Sequence, residues 1–184
     1  MKYNPDIHHR KSIRLKDYDY SSEGLYFITI CTQNKEYLFG EIVDGEMVLN
    51  DVGLIVEKEI IKTNEIRKNI KIEEYVIMPN HIHFIVEVLK IGFSSGKPLQ
   101  EIKLNKDVGC LPMANPDKLK PNTVGSIVNQ IKSKVTKEVR KNINIYNVWQ
   151  RNYYENIISN ERIYLKVLEY IENNPRRWDE DRYR

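Results

Sequence analysis

Two apolar segments that flank the dipeptide Pro79-Asn80 constrain the fold more than any other feature of the sequence. Residues 70–78 and 81–88 are rich in β-branched and aromatic side chains, which favour strands. A Pro-Asn pair between two such segments indicates a turn, so the second strand is expected to pair back on the first. The sequence therefore predicts a strand-turn-strand unit centred on residue 80.

Two histidines occupy the start of the second of these strands. Side chains alternate along a strand, so His81 and His83 share one face while Ile82 and Phe84 share the other, which is predicted to face the core. At a rise of about 3.3 Å per residue, the two imidazoles are expected about 7 Å apart, close enough to bind one metal ion. A His-x-His pair also occurs on solvated sheet faces without a ligand, so these residues alone leave both interpretations open.

The remaining segments predict the other elements of an α+β domain. These are a strand at 25–32, a hairpin around Asp44-Gly45, a helix from Asn50 or Asp51 to about 68, a helix at 123–141, a short strand or extended segment at 148–158, and a helix from 161 to about 173. Their order predicts a ferredoxin-like β-α-β-β-α-β core with an antiparallel sheet and helices on one side. The hairpin is then an insertion, the last helix is an addition, and the histidine strand is internal.

The last predicted helix carries a tyrosine and an asparagine one turn apart. At 100° per residue, Tyr170 and Asn174 fall at the edge of the apolar stripe that contains Ile163 and Val167. Pro175 ends this helix, because the residue before a proline is pushed out of helical geometry. Tyr170 and Asn174 are therefore expected to face one cavity.

Composition is typical of a single intracellular globular domain. The chain has 184 residues, of which 41% are hydrophobic, and a net charge of only +3. Cys31 and Cys110 lie far apart without a Cys-x-x-Cys motif, which argues against a disulfide framework or a zinc knuckle. No apolar segment of signal-peptide or membrane-spanning length is present, so a cytoplasmic protein without a membrane partner is expected.

Two stretches lack the periodicity of the rest. Residues 1–20 are polar and basic and predict an N-terminal arm, on which His8 and His9 are expected to be solvated. Residues 21–184 are predicted to form one domain, interrupted by a flexible loop at about 90–121. Glycine, serine and proline are frequent where this loop begins, and prolines recur toward its end.

Basic residues cluster on the helix predicted at 123–141. Between residues 131 and 141 five lysines and arginines face a single acidic residue, Glu138. A solvated helix face is the default interpretation of such a cluster, and a phosphate-binding surface is favoured only if the active site lies nearby.

Two motifs in this order resemble a known group of enzymes. The segment Pro79-Asn80-His81-Ile82-His83 resembles the histidine-hydrophobic-histidine motif of the HUH superfamily. The segment Tyr170-Ile171-Glu172-Asn173-Asn174-Pro175 is similar to the tyrosine helix of its single-tyrosine transposases, and its Tyr-x-x-x-Asn-Pro pattern resembles that of the REP-associated tyrosine transposases of bacteria. Residues 12–20 and 148–154 also look like that group, and the resemblance spans most of the chain outside the 90–121 loop.

The resemblance implies metal-dependent cleavage and strand transfer of single-stranded DNA at DNA hairpins. It implies that His81, His83 and Asn174 bind a divalent metal, Mg²⁺ or Mn²⁺, and that Tyr170 attacks the phosphate to give a covalent 5′-phosphotyrosine. The basic side chains expected to contact DNA are Arg14, Lys132, Lys134, Lys137, Arg151, Arg176 and Arg177.

Three questions stay open at this point. A non-catalytic hairpin-binding protein derived from a transposase is the alternative function, and a metal-free phosphodiesterase fits less well because it needs paired His-x-Thr/Ser elements. Tyr153 and Tyr154 are rival nucleophiles in a chain with 12 tyrosines. The sequence also permits a monomer or a homodimer, with an active site built within one chain or across two.

Overall fold

The computed structural model of the chain describes residues 23–89 and 123–184. The predicted N-terminal arm at 1–20, with Arg14, and the predicted loop at 90–121 lie outside these residues. The described chain forms six strands, β1 (Gly24–Cys31), β2 (Gly40–Val43), β3 (Glu46–Leu49), β4 (Ile70–Met78), β5 (His81–Val88) and β6 (Tyr154–Ile158), and three α-helices, α1 (Asp51–Ile66), α2 (Val124–Ile143) and α3 (Glu161–Asn173). Two short 3₁₀ helices, at Gln33–Lys35 and Pro175–Glu180, complete them.

The main sheet has four strands in the order β4-β5-β1-β6. Each neighbouring pair is antiparallel, so the connection β1-α1-β4-β5-α2-β6 is that of a ferredoxin-like domain. The β2–β3 hairpin is inserted between β1 and α1, and α3 follows the last strand. The predicted fold class is confirmed, and β5 is an internal strand as expected.

The larger hydrophobic core lies between one face of the sheet and the helices α1 and α2. The even-numbered side chains of β5, including Ile82 and Phe84, are buried there, as their alternation predicts. Helix α2 contributes the i, i+4 row Ile127, Ile131, Val135 and Val139, all of them buried.

Helix α3 covers the opposite face of the sheet. Ile171 packs there against Phe27 of β1, Ile85 of β5 and Ile158 of β6. This added helix, with the residues that follow it, encloses the odd-numbered face of β5 where the histidines lie. The histidine pair is therefore on a buried sheet face, where a polar atom without a hydrogen-bond partner costs free energy.

Asparagine and threonine side chains begin all three helices. Asn50 accepts hydrogen bonds from Val52 N and Gly53 N, Thr123 from Ser126 N, and Asn160 from Ile163 N. These caps satisfy backbone donors that the first helical turn leaves unpaired.

Asn64 joins helix α1 to strand β4 at an irregular point of the sheet. The β4–β5 register shifts between Ile72 and Tyr75. Beside this shift the Asn64 amide accepts a hydrogen bond from Ile72 N at 2.7 Å and donates one to Ile72 O at 2.9 Å. One side chain thus pairs both backbone groups of Ile72.

We expect Asn64→Ala to lower the free energy of unfolding by about 2 kcal/mol, because it leaves two part-buried backbone groups of Ile72 unpaired. Urea unfolding followed by circular dichroism measures the change. Glu65→Ala, an exposed neighbour on the same helix, is the matched control and is expected to change stability by less than about 0.5 kcal/mol. An equal effect of the two substitutions would contradict this assignment.

Candidate metal and tyrosine site

The two histidines lie at the start of β5 and are fixed by its pairing with β1. His81 is opposite Cys31 and His83 is opposite Thr29. Both side chains are fully buried, at 0% exposure. Their ring centroids are 4.5 Å apart, with an interplanar angle of 68°. This distance is shorter than the expected spacing of about 7 Å, because that value is the spacing along the backbone and the two rings lean toward each other.

Asn80 determines which nitrogen of His81 carries the proton. The Asn80 amide group donates to Tyr183 O at 2.8 Å, so its oxygen faces the other way, toward His81 Nδ1 at 2.7 Å. An amide oxygen only accepts, so Nδ1 carries the hydrogen and Nε2 has the free lone pair. Within the described part of the chain, this buried Nε2 has no hydrogen-bond partner. It is available as a metal ligand.

His83 is held at both of its ring nitrogens. Nδ1 lies 2.7 Å from the Thr29 hydroxyl, and Nε2 lies 3.2 Å from the hydroxyl of Tyr170. Phe27 stacks on the ring with a centroid distance of 5.2 Å. The orientation of His83 is therefore set by β1, and its Nε2 faces the tyrosine of α3.

Burial keeps both imidazoles neutral at physiological pH. Desolvation lowers the pKa of His81 to about 4, against an opposing effect of the Asp181 carboxylate. Desolvation also lowers the pKa of His83 well below its usual value, and the neighbouring His81 lowers it further. Neutral imidazoles are the form that binds metal ions.

Tyr170 and Asn174 line one cavity at the end of α3. Asn174 is 3% exposed, and its amide group donates to Asp181 Oδ2 at 2.9 Å. Its Oδ1 atom is buried without a hydrogen-bond partner among the described residues. Tyr170 is 37% exposed, so its ring is open to solvent on one side while its hydroxyl faces His83.

Asp181 is a member of the site that the sequence patterns did not identify. Its side chain is 1% exposed, and Oδ2 lies 3.9 Å from His81 Nε2 and 3.2 Å from the Tyr170 hydroxyl. One ligand atom each from His81, His83 and Asp181 lie within 4.8 Å of one another. Two nitrogens and a carboxylate at this spacing can hold one divalent cation.

The C-terminal residues position Asp181 by folding back over the histidines. The 3₁₀ helix Pro175–Glu180 turns the chain after α3, and Asp181 Oδ1 then accepts a hydrogen bond from Tyr183 N at 2.6 Å. The Tyr183 ring packs against both imidazoles, with centroid distances of 5.1 Å to His81 and 5.5 Å to His83. No local sequence signal distinguishes Asp181 from the exposed Asp179 and Glu180, because only this tertiary contact buries it.

The pKa of Tyr170 is raised above its ordinary value near 10. Burial is the larger cause, and the charge of the Asp181 carboxylate adds to it. The phenol is therefore protonated at neutral pH in the metal-free protein. Deprotonation requires a base or a positive charge nearby.

Those predicted DNA-contacting residues that the structure describes are not brought together around Tyr170. Arg177 lines the tyrosine cavity, whereas Arg176 lies beside Gly45 of the inserted hairpin. The other residues, Lys132, Lys134, Lys137 and Arg151, belong to α2 and the segment before β6.

Lys132 has a structural contact of its own. Its ammonium group donates to Gln150 O at 2.7 Å and to Asn152 O at 2.8 Å, which joins α2 to the segment before β6. Burial lowers the pKa of Lys132 to about 8.

Of the rival nucleophiles, Tyr153 is buried in the larger core, and the Tyr154 ring packs against the Tyr183 ring with a centroid distance of 5.3 Å.

Comparison with solved structures supports the fold. The structure of a REP-associated tyrosine transposase bound to a REP hairpin matches with a TM-score of 0.52 and 20% identity, over 95% of this chain and 72% of that chain. This chain therefore has a transposase-like fold. A solved structure of a candidate transposase from Deinococcus radiodurans matches with a TM-score of 0.41 and 14% identity, over 87% of this chain and 95% of the other.

Comparison of sequences identifies the family. An uncharacterized protein of Haemophilus influenzae is 47% identical over 181 residues, which are 98% of this chain and 96% of that protein. The chain belongs to the same family as this protein. No protein-family model matches the chain. In the described ranges 23–89 and 123–184, no helix has the length and apolarity to cross a membrane.

We expect Mn²⁺ to raise the melting temperature of the protein, because a ligand that binds only the folded state stabilises it. At a free Mn²⁺ concentration a hundred times its Kd, binding raises the free energy of unfolding by about 2.7 kcal/mol. Differential scanning calorimetry with and without MnCl₂ measures it. The gain should be lost in His83→Ala and retained in the double variant His8→Ala/His9→Ala, which removes the other two histidines of the chain. Retention of the gain in His83→Ala would place the cation elsewhere.

We also expect the metal-free protein to lose stability as the pH falls from about 6.5 to about 4. The folded-state pKa of each site histidine is below its unfolded value, so the unfolded chain binds more protons in this window. The loss is at most about 1.4 kcal/mol per pH unit for each histidine. Urea unfolding at a series of pH values should give a shallower slope for His81→Gln/His83→Gln than for His8→Gln/His9→Gln, and equal slopes would contradict the prediction.

Proposed function

We propose that this protein cleaves and rejoins single-stranded DNA at hairpins, with Tyr170 as the nucleophile and a divalent metal ion, Mg²⁺ or Mn²⁺, as its cofactor. The observation that carries the proposal is the contact of 3.2 Å between the Tyr170 hydroxyl and His83 Nε2. This contact brings a nucleophile to the edge of a buried cluster of metal-ligand atoms. A tyrosine that only packs at the border of a hydrophobic core does not require its hydroxyl to contact a buried histidine.

Unpaired buried atoms support the metal assignment. Burying a polar atom without a partner costs free energy, and His81 Nε2 and Asn174 Oδ1 are two such atoms on different elements of the site. Together with His83 Nε2 they would form a donor set of two nitrogens and one oxygen. Such a set is compatible with Mn²⁺ and with Mg²⁺, although the harder Mg²⁺ prefers a larger share of oxygen ligands.

We propose that Asp181 adds a carboxylate to this set. Its Oδ2 atom faces His81 Nε2 and also receives hydrogen bonds from Asn174 and Tyr170. When bound, the divalent ion supplies positive charge that polarises the scissile phosphate and offsets the Asp181 charge that raises the Tyr170 pKa.

Side chains of this chain position the Tyr170 hydroxyl and accept its proton. The Asp181 carboxylate fixes the Tyr170 hydroxyl and accepts its hydrogen as the oxygen attacks phosphorus. The bond from phosphorus to the 3′-oxygen breaks, the 5′-phosphate becomes linked to Tyr170, and the proton goes to the released 3′-oxygen. Reversal with another 3′-hydroxyl rejoins DNA without ATP, because the phosphotyrosine keeps the energy of the broken bond.

The fold and the charges around the cavity support DNA as the partner. The solved transposase with this fold is bound to a REP hairpin. In this chain, the cavity beside Tyr170 includes the cationic side chains Lys166, Arg177 and Arg182, which are suited to phosphate oxygens. We propose a single-stranded or hairpin DNA substrate that enters at this side.

The proposed nucleophile and the proposed metal ligands all belong to one chain. Tyr170 reaches His83 of its own chain, and Asn174 and Asp181 come from the same C-terminal segment. We therefore propose that a monomer is sufficient for cleavage.

We expect Tyr170→Phe to abolish covalent attachment to labelled single-stranded hairpin DNA in Mn²⁺, because the phenolic oxygen is the attacking atom. Denaturing gel electrophoresis detects the adduct, which wild-type protein should form and EDTA should prevent. Tyr164→Phe is the matched control, because Tyr164 lies on the same helix and its hydroxyl donates to Glu73 instead.

An undiminished adduct in Tyr170→Phe would remove Tyr170 from its proposed role. Tight hairpin binding by the wild type without an adduct, under each divalent ion tested, would support the non-catalytic alternative.

A further inference from the structure

We propose that the cavity beside Tyr170 is a binding site for an unpaired nucleobase next to the phosphate that Tyr170 attacks. The cavity lies between α3 and strand β6, at the edge of the sheet, and has a volume of about 610 Å³. Volumes of this size are typical of small-molecule sites in proteins. This inference rests on the proposed function and adds the substrate group that the site holds.

The inner wall of the cavity is apolar. Phe27 of β1, Ile158 of β6, and Ile163 and Val167 of α3 line it, and they belong to the smaller hydrophobic core beneath α3. A flat aromatic base has two apolar faces, so it can replace water against such a wall.

The polar groups of the cavity are suited to the rest of a nucleotide. The side chains of Asn156 and Asn173 line it and can hydrogen-bond a base edge. Lys166, Arg177 and Arg182 are exposed around it, where flanking phosphates would lie. This arrangement of an apolar wall, amides and outer cations fits a nucleotide better than an apolar peptide or a lipid chain.

The position of Tyr170 relates the cavity to the scissile phosphate. Its side chain, with those of Asn174 and Asp181, lines the cavity, and its hydroxyl contacts His83. A base bound in the cavity is therefore attached to a phosphate within reach of the nucleophile. Its binding would fix the register of the strand before cleavage.

Hairpin DNA with single abasic sites tests this inference without requiring catalysis. Affinities are measured by fluorescence anisotropy without divalent ions, for DNA that lacks one base at a time along the single-stranded segment beside the hairpin. For wild-type protein, we expect one position to lose about tenfold in affinity and the others to lose much less.

Two variants connect that position to the cavity. Val167→Phe narrows the cavity, and Asn156→Ala removes an amide from strand β6 without disturbing α3. Each should weaken binding of intact DNA and reduce the abasic effect to less than about threefold. Leu165→Phe adds similar bulk at an exposed position of the same helix and should behave as wild type.

The outcomes separate this inference from the proposed function. If removal of every base is tolerated within about twofold, or if both cavity variants keep the full abasic effect, the cavity does not hold a base, whatever the result with the covalent adduct. If the abasic effect is found and is lost in the variants but no adduct forms, the binding site stands and the cleavage proposal fails.

Discussion

The antiparallel pairing of β1 with β5 is the constraint on which the rest of the site depends. Its register sets Cys31 opposite His81 and Thr29 opposite His83, on an internal strand whose other neighbour is β4. A slip of one residue would turn both imidazoles into the larger core. Because the pairing is fixed, the same strand contributes apolar side chains to one face and both histidines to the other. Helix α3 and the residues after it then need only to cover that second face.

Burial has opposite consequences for the two kinds of group in the site. It lowers the pKa values of His81 and His83, which favours neutral imidazoles that can bind metal, and it raises the pKa of Tyr170, which disfavours the reactive phenolate. Asp181 adds negative charge beside both. Without a cation, the site thus holds two neutral imidazoles and a protonated Tyr170 phenol. In the proposed reaction, a bound cation would offset the negative charge of Asp181, and cleavage would therefore depend on the metal.

Much of this arrangement follows from local sequence periodicity. Alternation along β5 predicted the shared face of the histidines, and helical spacing predicted that Tyr170 and Asn174 lie together. Asp181 was not predicted, because its burial depends on a chain reversal after Pro175 and on contacts with residues a hundred positions earlier. The inward lean of the imidazoles and the attachment of Lys132 to backbone carbonyls are likewise tertiary contacts without a local pattern.

An anomalous difference map from crystals of the protein soaked in MnCl₂ tests directly whether His81 and His83 bind a metal ion. We expect one strong peak within bonding distance of His81 Nε2 and His83 Nε2, next to Asn174 Oδ1 and the Asp181 carboxylate, with the Tyr170 hydroxyl facing it. The absence of a peak between the two histidines at saturating Mn²⁺, or a peak only at His8 and His9, would contradict it.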